Sequence, residues 1–180
     1  MACISKLANA ITYDCDSGAT GLVSALIINK SDIASYSVDT TGTATVALAA
    51  GARAYKIDTV KRTLVLSSAL KVNDGAPNAH THTATITVTT TVLSGSLFAQ
   101  RNALTNGTFV ILARAAGDTG GHVMVYGLYY GLSATGMDTS SHDNAGWTTV
   151  TLETPENVIG EDPCTMTSTA YDALYAEAVG

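Results

Sequence analysis

Four short stretches carry residue types that could do chemistry. Gly117-Asp118-Thr119-Gly120-Gly121 resembles the G-D-S-G-G around a serine-protease nucleophile, with Thr in place of Ser. None of His80, His82, His122 or His142 sits in a general-base motif. Asp and paired Gly between two apolar runs also suit a hairpin turn, and the stretch reads as one. His80 and His82 project to one side of an extended strand and could share a metal ion. No Cys, Asp or Glu nearby completes a ligand set, so they read as a surface pair beside the loop NDGAPNAH. Asp14 and Asp16 could open a calcium loop, but SGATGLV follows without later acidic ligands. Glu153 and Glu156 flank a proline, with nothing to raise a carboxyl pKa. Phosphate-cradling, nucleophile-elbow and dinucleotide motifs are missing from the sequence. The expectation is a non-enzyme with no catalytic set, no metal and no cofactor.

Composition points the same way. Of the 180 residues, 46% are hydrophobic and 13% charged, against about 25% charged in an average globular protein. So few charges suggest that much of the surface is covered by other chains. A net charge of −6 argues against gripping nucleic acid through phosphate contacts. Residues 1–114 hold all nine Lys and Arg with six acids, whereas residues 115–180 hold nine acids and no base. Opposite balances of this kind fit head-to-tail contact between copies. Cys3, Cys15 and Cys164 are odd in number and lack metal spacing. Neither a secretory apolar region nor a membrane-length run occurs, so synthesis in a reducing cytoplasm is expected, with no membrane partner.

The elements that must position these residues are mostly strands, by period-two patterning. They are expected at Ile11–Cys15, Leu22–Asn29, Thr43–Ala49, Ala54–Asp58, Thr63–Val72, Thr81–Leu93, Thr108–Ala115, His122–Leu132 and Trp147–Glu153. SLFAQRNALTNG reads as an embedded helix with Ser96 at its start and Asn106-Gly107 at its end, and a C-terminal helix is expected over Thr169–Val179. In THTATITVTTTVL, one face carries Thr81, Thr83, Thr85, Thr87, Thr89 and Thr91, the other Ala84, Ile86, Val88 and Val92. Thirteen extended residues span roughly 44 Å, enough to project beyond a small sheet as half of a long hairpin. A plain solvated Thr face is the simpler reading of the same pattern.

HVMVYGLYYGLSA is apolar on both faces: Met124, Tyr126, Leu128, Tyr130 and Leu132 on one, Val123, Val125, Gly127, Tyr129 and Gly131 on the other. A core covers one face. The other needs either a second layer of the same domain or a neighbouring chain. Val125, Gly127, Tyr129 and Gly131 are therefore candidate interface residues, since glycines let another backbone approach closely.

ITYDCDSGATGLVSALIINKSDI resembles the opening of small structural proteins from tailed phages of Bacteroidetes, including crAss-like phages. GHVMVYGLYYGLSATGMDTSSHDNAGWTTVTLETPE is similar to their tail-tube-like proteins, through Tyr126, Gly127, Gly131, Leu132, Asp143, Asn144, Gly146 and Thr148–Thr151. The two stretches cover roughly a third of the chain. The resemblance implies a β-sandwich or barrel of the tail-tube type over 1–152, with one embedded helix and a long hairpin, followed by an acidic extension over 153–180. It implies a homo-oligomeric ring, hexameric by preference, within a virion tail assembled in the bacterial host. Other tail proteins would be partners, and DNA would pass without specific binding. The threonine row Thr81, Thr83, Thr85, Thr87, Thr89 and Thr91 would face the channel. The alternative is a monomeric β-sandwich module that binds a glycan or a host receptor.

Overall fold

The computed structural model describes residues 21–57, 59, 64–71, 79–88, 95–116, 122–139, 148–155, 161 and 163–180. The fold is mainly β. Its strands are β1 (Leu22–Asn29), β2 (Ile33–Val38), β3 (Ala44–Leu48), β4 (Tyr55–Ile57), β5 (Leu64–Lys71) and β6 (Ala79–Val88). They continue with β7 (Thr108–Ala115), β8 (His122–Tyr126), β9 (Leu132–Thr139), β10 (Thr148–Glu153) and β11 (Cys164–Thr167). Two helices, α1 (Gly95–Asn106) and α2 (Ser168–Glu177), and a single 3₁₀ turn at Lys30–Asp32 complete the described elements.

Strand β7 is the axis of this arrangement. Its sequence, TFVILARA, has no polar side chain between Phe109 and Ala113, and residues 109–113 are all buried. Alternate side chains leave opposite faces of a strand. Phe109, Ile111 and Ala113 join a core with Ala25, Leu64, Ala84, Ile86, Tyr126, Leu132, Val150 and Leu152. Val110 and Leu112 join another with Leu26, Ile28, Val123, Val125, Leu128, Cys164, Met166 and Tyr171. One strand thus forms the wall between two cores.

Along one edge β7 pairs antiparallel with β1, from Asn29↔Phe109 to Leu22↔Ala115. Along its other edge it pairs with two strands in succession: β8 at Ile111–Arg114 and β9 at Thr108 and Phe109. The chain therefore divides at the β8–β9 connection. β8 leads to β11, whereas β9 leads through β10 and β6 to the edge strand β5. The first core fills the space between these two limbs in the manner of a sandwich. The second lies on the far side of β1, β7 and β8, covered by the β2–β3 hairpin and α2 through Val38, Val46, Leu48, Leu174 and Tyr175.

The expected strand His122–Leu132 is two strands with a turn between them. Gly127 and Gly131 adopt φ of +76° and +80°, a region that L side chains rarely occupy, and Gly131 N–H closes the turn on Gly127 O at 2.9 Å. Val123, Val125, Tyr126, Leu128 and Leu132 of the former run are buried in the chain's own two cores, while Met124 and Tyr130 stay exposed. Val125, Gly127 and Gly131 are buried and Tyr129 is half-buried against the second core, so the approach expected of a neighbour there is made by the chain itself.

The C-terminal segment does not stand apart from residue 153 onward. β11 pairs with β8 from Thr167↔His122 to Cys164↔Val125. The Thr167 hydroxyl caps α2 by accepting Ala170 N–H at 3.4 Å, as an N-cap does. α2 buries Tyr171, whose hydroxyl reaches Ser24 Oγ at 2.9 Å, while Arg114 bonds Asp172 at 2.8 Å. Beyond α2, Val179 bridges β4: Lys56 N–H donates to Val179 O at 2.8 Å and Val179 N–H to Ala54 O at 3.0 Å. At β11, Thr165 N–H donates to Gly42 O at 2.9 Å, joining it to the β2–β3 hairpin.

Expected strand Ile11–Cys15, with Cys3, Cys15, Asp14 and Asp16, lies outside the described residues. So does Gly117–Gly121, although the strands it joins, β7 and β8, pair antiparallel. The helix expected over SLFAQRNALTNG is α1, which ends as Gly107 N–H bonds Ala103 O at 2.8 Å.

A side chain at Gly131 would point its Cβ into Thr108 Cγ2, while Thr108 Oγ1 is engaged with Ser133 at 3.2 Å. A left-handed conformation costs an L residue about 1–2 kcal/mol, and overpacking a further ~1–3 kcal/mol. Gly131→Val is therefore expected to lower the stability of the isolated chain by roughly 3 kcal/mol or more. Urea denaturation of dilute protein measures this, and an unchanged midpoint would refute the close packing of Gly131 on Thr108.

Candidate functional site

Cross-strand register gathers the threonines of β6 into a wider surface. Residues directly opposite in an antiparallel pair share a face. Thr81, Thr83 and Thr85 lie opposite Ala69, Ser67 and Val65 of β5. On the other side, Thr83, Thr85 and Thr87 lie opposite Glu153, Thr151 and Thr149 of β10. Those residues in turn face Ser133, Gly136 and Asp138 of β9. The outer face of this four-stranded limb is thus dominated by hydroxyls and small residues. By register its charged positions are Asp138, Glu153 and, at the far end of β5, Lys71. The inner face carries Leu64, Ala84, Ile86, Val150 and Leu152, all buried, as alternation requires.

Thr81, Thr83 and Thr85 are partly exposed, the Thr87 backbone continues the row, and Thr89 and Thr91 lie outside the described residues. β10 pairs with β6 only over Thr83–Val88, whereas β5 continues to Lys71↔Ala79. Among the described residues, Ala79, His80 and Thr81 are therefore paired on the β5 side alone. Among the described residues β5 pairs with β6 alone, and it leaves Val65 50% and Leu70 56% exposed. Natural edges usually carry charge, proline or a bulge against stray pairing. The register of β5 runs unbroken over eight residues, with one charge, Lys71, at its end.

Behind this limb lies a polar cluster that the sequence reading missed. His82 is buried, 1% exposed, rather than on the surface. Its parity with Ala84 and Ile86 turns it inward, and its ring meets Tyr126 edge-on at 5.3 Å. Its backbone is clamped to the residue after β10: Thr154 N–H donates to His82 O at 3.0 Å, and His82 N–H to Thr154 Oγ1 at 3.3 Å. Gly127 N–H donates to His82 Nδ1 at 3.2 Å.

Glu161, fully buried, reaches the same turn from the approach to β11. Its two carboxylate oxygens accept Tyr129 N–H at 3.2 Å and Tyr130 N–H at 2.9 Å. Lys30 holds the turn from the opposite sense, donating to Leu128 O while its ammonium lies 4.4 Å from the Tyr36 ring centre. Tyr36 meets Tyr129 edge-to-face at 5.8 Å. Burial raises the Glu161 carboxyl pKa, opposed by the Tyr130 and Tyr129 N–H groups and by Lys30. Burial lowers that of Lys30, opposed by Glu161.

These groups anchor the turn. His82 faces the core while the His80 side chain lies outside the described residues, so the expected histidine surface pair does not form. Among the described residues no three His, Cys, Asp or Glu side chains cluster to hold a metal ion.

Truncating Glu161 to Ala leaves two part-buried N–H groups without their carboxylate. Each such loss costs about 1–3 kcal/mol, so a destabilisation of roughly 3 kcal/mol is expected in chemical denaturation. The pH dependence has a defined sign. Because the folded carboxyl is raised above its ordinary 4.5, the folded chain holds this proton when the unfolded chain has lost it. The stability contributed by Glu161 should therefore fall as pH rises from 4.5 through the folded value, then level off. The difference in urea midpoint between wild type and Glu161→Gln, followed across that window, reads this slope. A difference that grows with pH would contradict it.

No protein-family profile, curated protein or solved structure matches this chain.

Proposed function

We propose that this protein is a structural component of a bacteriophage tail, a tube, ring or hub subunit that assembles as a homo-oligomeric ring around the DNA-ejection channel. The observation that carries this reading is the β5–β6 pair: among the described residues β5 is an edge strand with exposed Val65 and Leu70, and β6 presents a hydroxyl face. An edge of this kind is completed when a strand from another copy pairs with it, and a closed ring leaves no edge exposed. Heterologous contacts of this type close into rings.

The hydroxyl face suits the inner wall of such a ring. Its exposed and half-exposed residues include Ser67, Thr81, Thr83, Thr85, Thr149 and Thr151, with Glu153 and Asp138 among its charged positions. Phosphates are held mainly by Lys and Arg, so a hydroxyl and acidic wall offers DNA little to grip and lets it slide. The uneven charge of the chain, basic before residue 115 and acidic after it, supports head-to-tail assembly.

Size-exclusion chromatography with light scattering and negative-stain imaging test the proposal. Rings or tubes with a pore of at least about 20 Å, wide enough for duplex DNA, are expected. A strict 18.5 kDa monomer at high concentration would overturn it. Leu70→Lys, at an exposed edge position, should change the stability of the subunit by less than about 0.5 kcal/mol while abolishing assembly.

A further inference from the structure

Two buried side chains from distant parts of the chain hold the turn between β8 and β9, and they compete at one nitrogen. Gly127 N–H donates to His82 Nδ1 at 3.2 Å. A ring nitrogen that accepts a hydrogen bond carries no proton, so we assign the imidazole proton to Nε2 and the ring as neutral. Glu161 Oε1 lies 3.9 Å from that same Nδ1, beyond hydrogen-bond length, with both side chains excluded from solvent. A neutral ring serves the backbone N–H. A ring protonated at Nδ1 would serve the carboxylate instead.

We propose that acidification places a proton on His82 Nδ1 and passes its hydrogen bond from Gly127 N–H to Glu161 Oε1, making the start of the β8–β9 turn an acid-operated hinge between the two limbs of the fold. The proton comes from solvent and adds to the Nδ1 lone pair. The ring becomes an imidazolium donor, and the Gly127 hydrogen bond is the interaction lost. Glu161 has lone pairs to spare, so its bonds to Tyr129 and Tyr130 persist beside the new one. Gly127 can turn its peptide away because it has no side chain to reposition.

Among the described residues, Glu161, Lys30, Tyr126 and Thr154 are the side chains grouped around this switch. While ionised, the Glu161 carboxylate favours the imidazolium; burial works against that ionisation and Lys30, seated on Leu128 O, supports it. Tyr126 contributes a ring edge, its hydroxyl 3.6 Å from Met124 Sδ, and Thr154 engages only the His82 backbone. The device sits where the chain crosses from β8 to β9, so a change at Gly127 acts on the angle between the limbs rather than on either alone.

Nitrogen-15 NMR on the full-length chain tests this between about pH 8 and pH 5, the range in which histidine ordinarily titrates. The His82 ring should pass from the Nε2–H tautomer to imidazolium. In step with it, Gly127 amide protection, corrected for intrinsic exchange, should fall by about tenfold while Val110 stays unchanged, as expected of a local opening. His82→Asn keeps an acceptor near the Nδ1 position and cannot take the proton, so Gly127 protection there should be independent of pH. A ring that stays neutral to pH 5, a protonated ring with Gly127 still protected, or the same pH response in His82→Asn would each overturn the proposal. Should that variant fail to fold, the wild-type ring titration and Gly127 exchange decide it.

Discussion

Every larger feature of this protein depends on one strand having no solvent face. β7 gives Phe109, Ile111 and Ala113 to one core and Val110 and Leu112 to the other, so neither core closes without it. Burying a large aliphatic or aromatic side chain contributes about 1.5–3 kcal/mol, and β7 does this on both sides. A strand so placed must also satisfy its backbone on both edges, because buried N–H and C=O groups cannot turn to water. β1 occupies one edge throughout. The other is shared, β8 taking one half and β9 the other. Division of the sheet into two limbs follows from that shared edge.

Sharing an edge between two strands requires the chain to leave β7 and return within a few residues. The backbone does so through two left-handed glycines, which turns Leu128, Tyr129 and Tyr130 across the strand ends. Inside the protein, the N–H groups of such a turn need acceptors. Glu161 and His82 supply them from opposite limbs, with Lys30 on the carbonyl side. A buried carboxylate is costly unless it is hydrogen-bonded, and here its bonds are to the backbone N–H groups of the turn. The polar cluster and the turn are each the reason the other is tolerated.

Local pattern made much of this legible. β1 and β7 have the boundaries expected of them, because each holds an unbroken apolar stretch, Ala25–Ile28 and Phe109–Ala113, flanked by polar or glycine residues. α1 and α2 were both expected, although α1 starts at Gly95 rather than being capped by Ser96, and α2 starts at Ser168, capped by Thr167. β2, β9 and β11 were not. IASYSV and LSATGMDT mix polar and small residues on both faces, and CTMT is too short to show a period. The run from His122 to Leu132 read as one strand because everything after His122 is aliphatic, aromatic or glycine, whereas glycine at positions 127 and 131 marks where it bends. His82 was recoverable: the same parity that set Ala84 and Ile86 inward includes it. Glu161 was not, since its partners lie about thirty residues away and GEDP resembles any solvated acidic loop. The threonine row was legible along β6, but its extension across β10 and β9 exists only through register.

Closure of the second core by the last part of the chain has a consequence for how the molecule is made. Tyr171 reaches Ser24 across 147 residues, β11 completes the sheet beside β8, and Val179 seals the edge of β4. Until the segment from residue 164 onward has left the ribosome, the β2–β3 hairpin is, among the described residues, the one cover over the second-core faces of β1, β7 and β8. Long loops must then be closed at once, a step that is slow and exposes sticky surface meanwhile. Premature termination anywhere in this last stretch yields an open-faced, aggregation-prone chain rather than a trimmed subunit. The protein thus commits to its native form only once its final turn is in place.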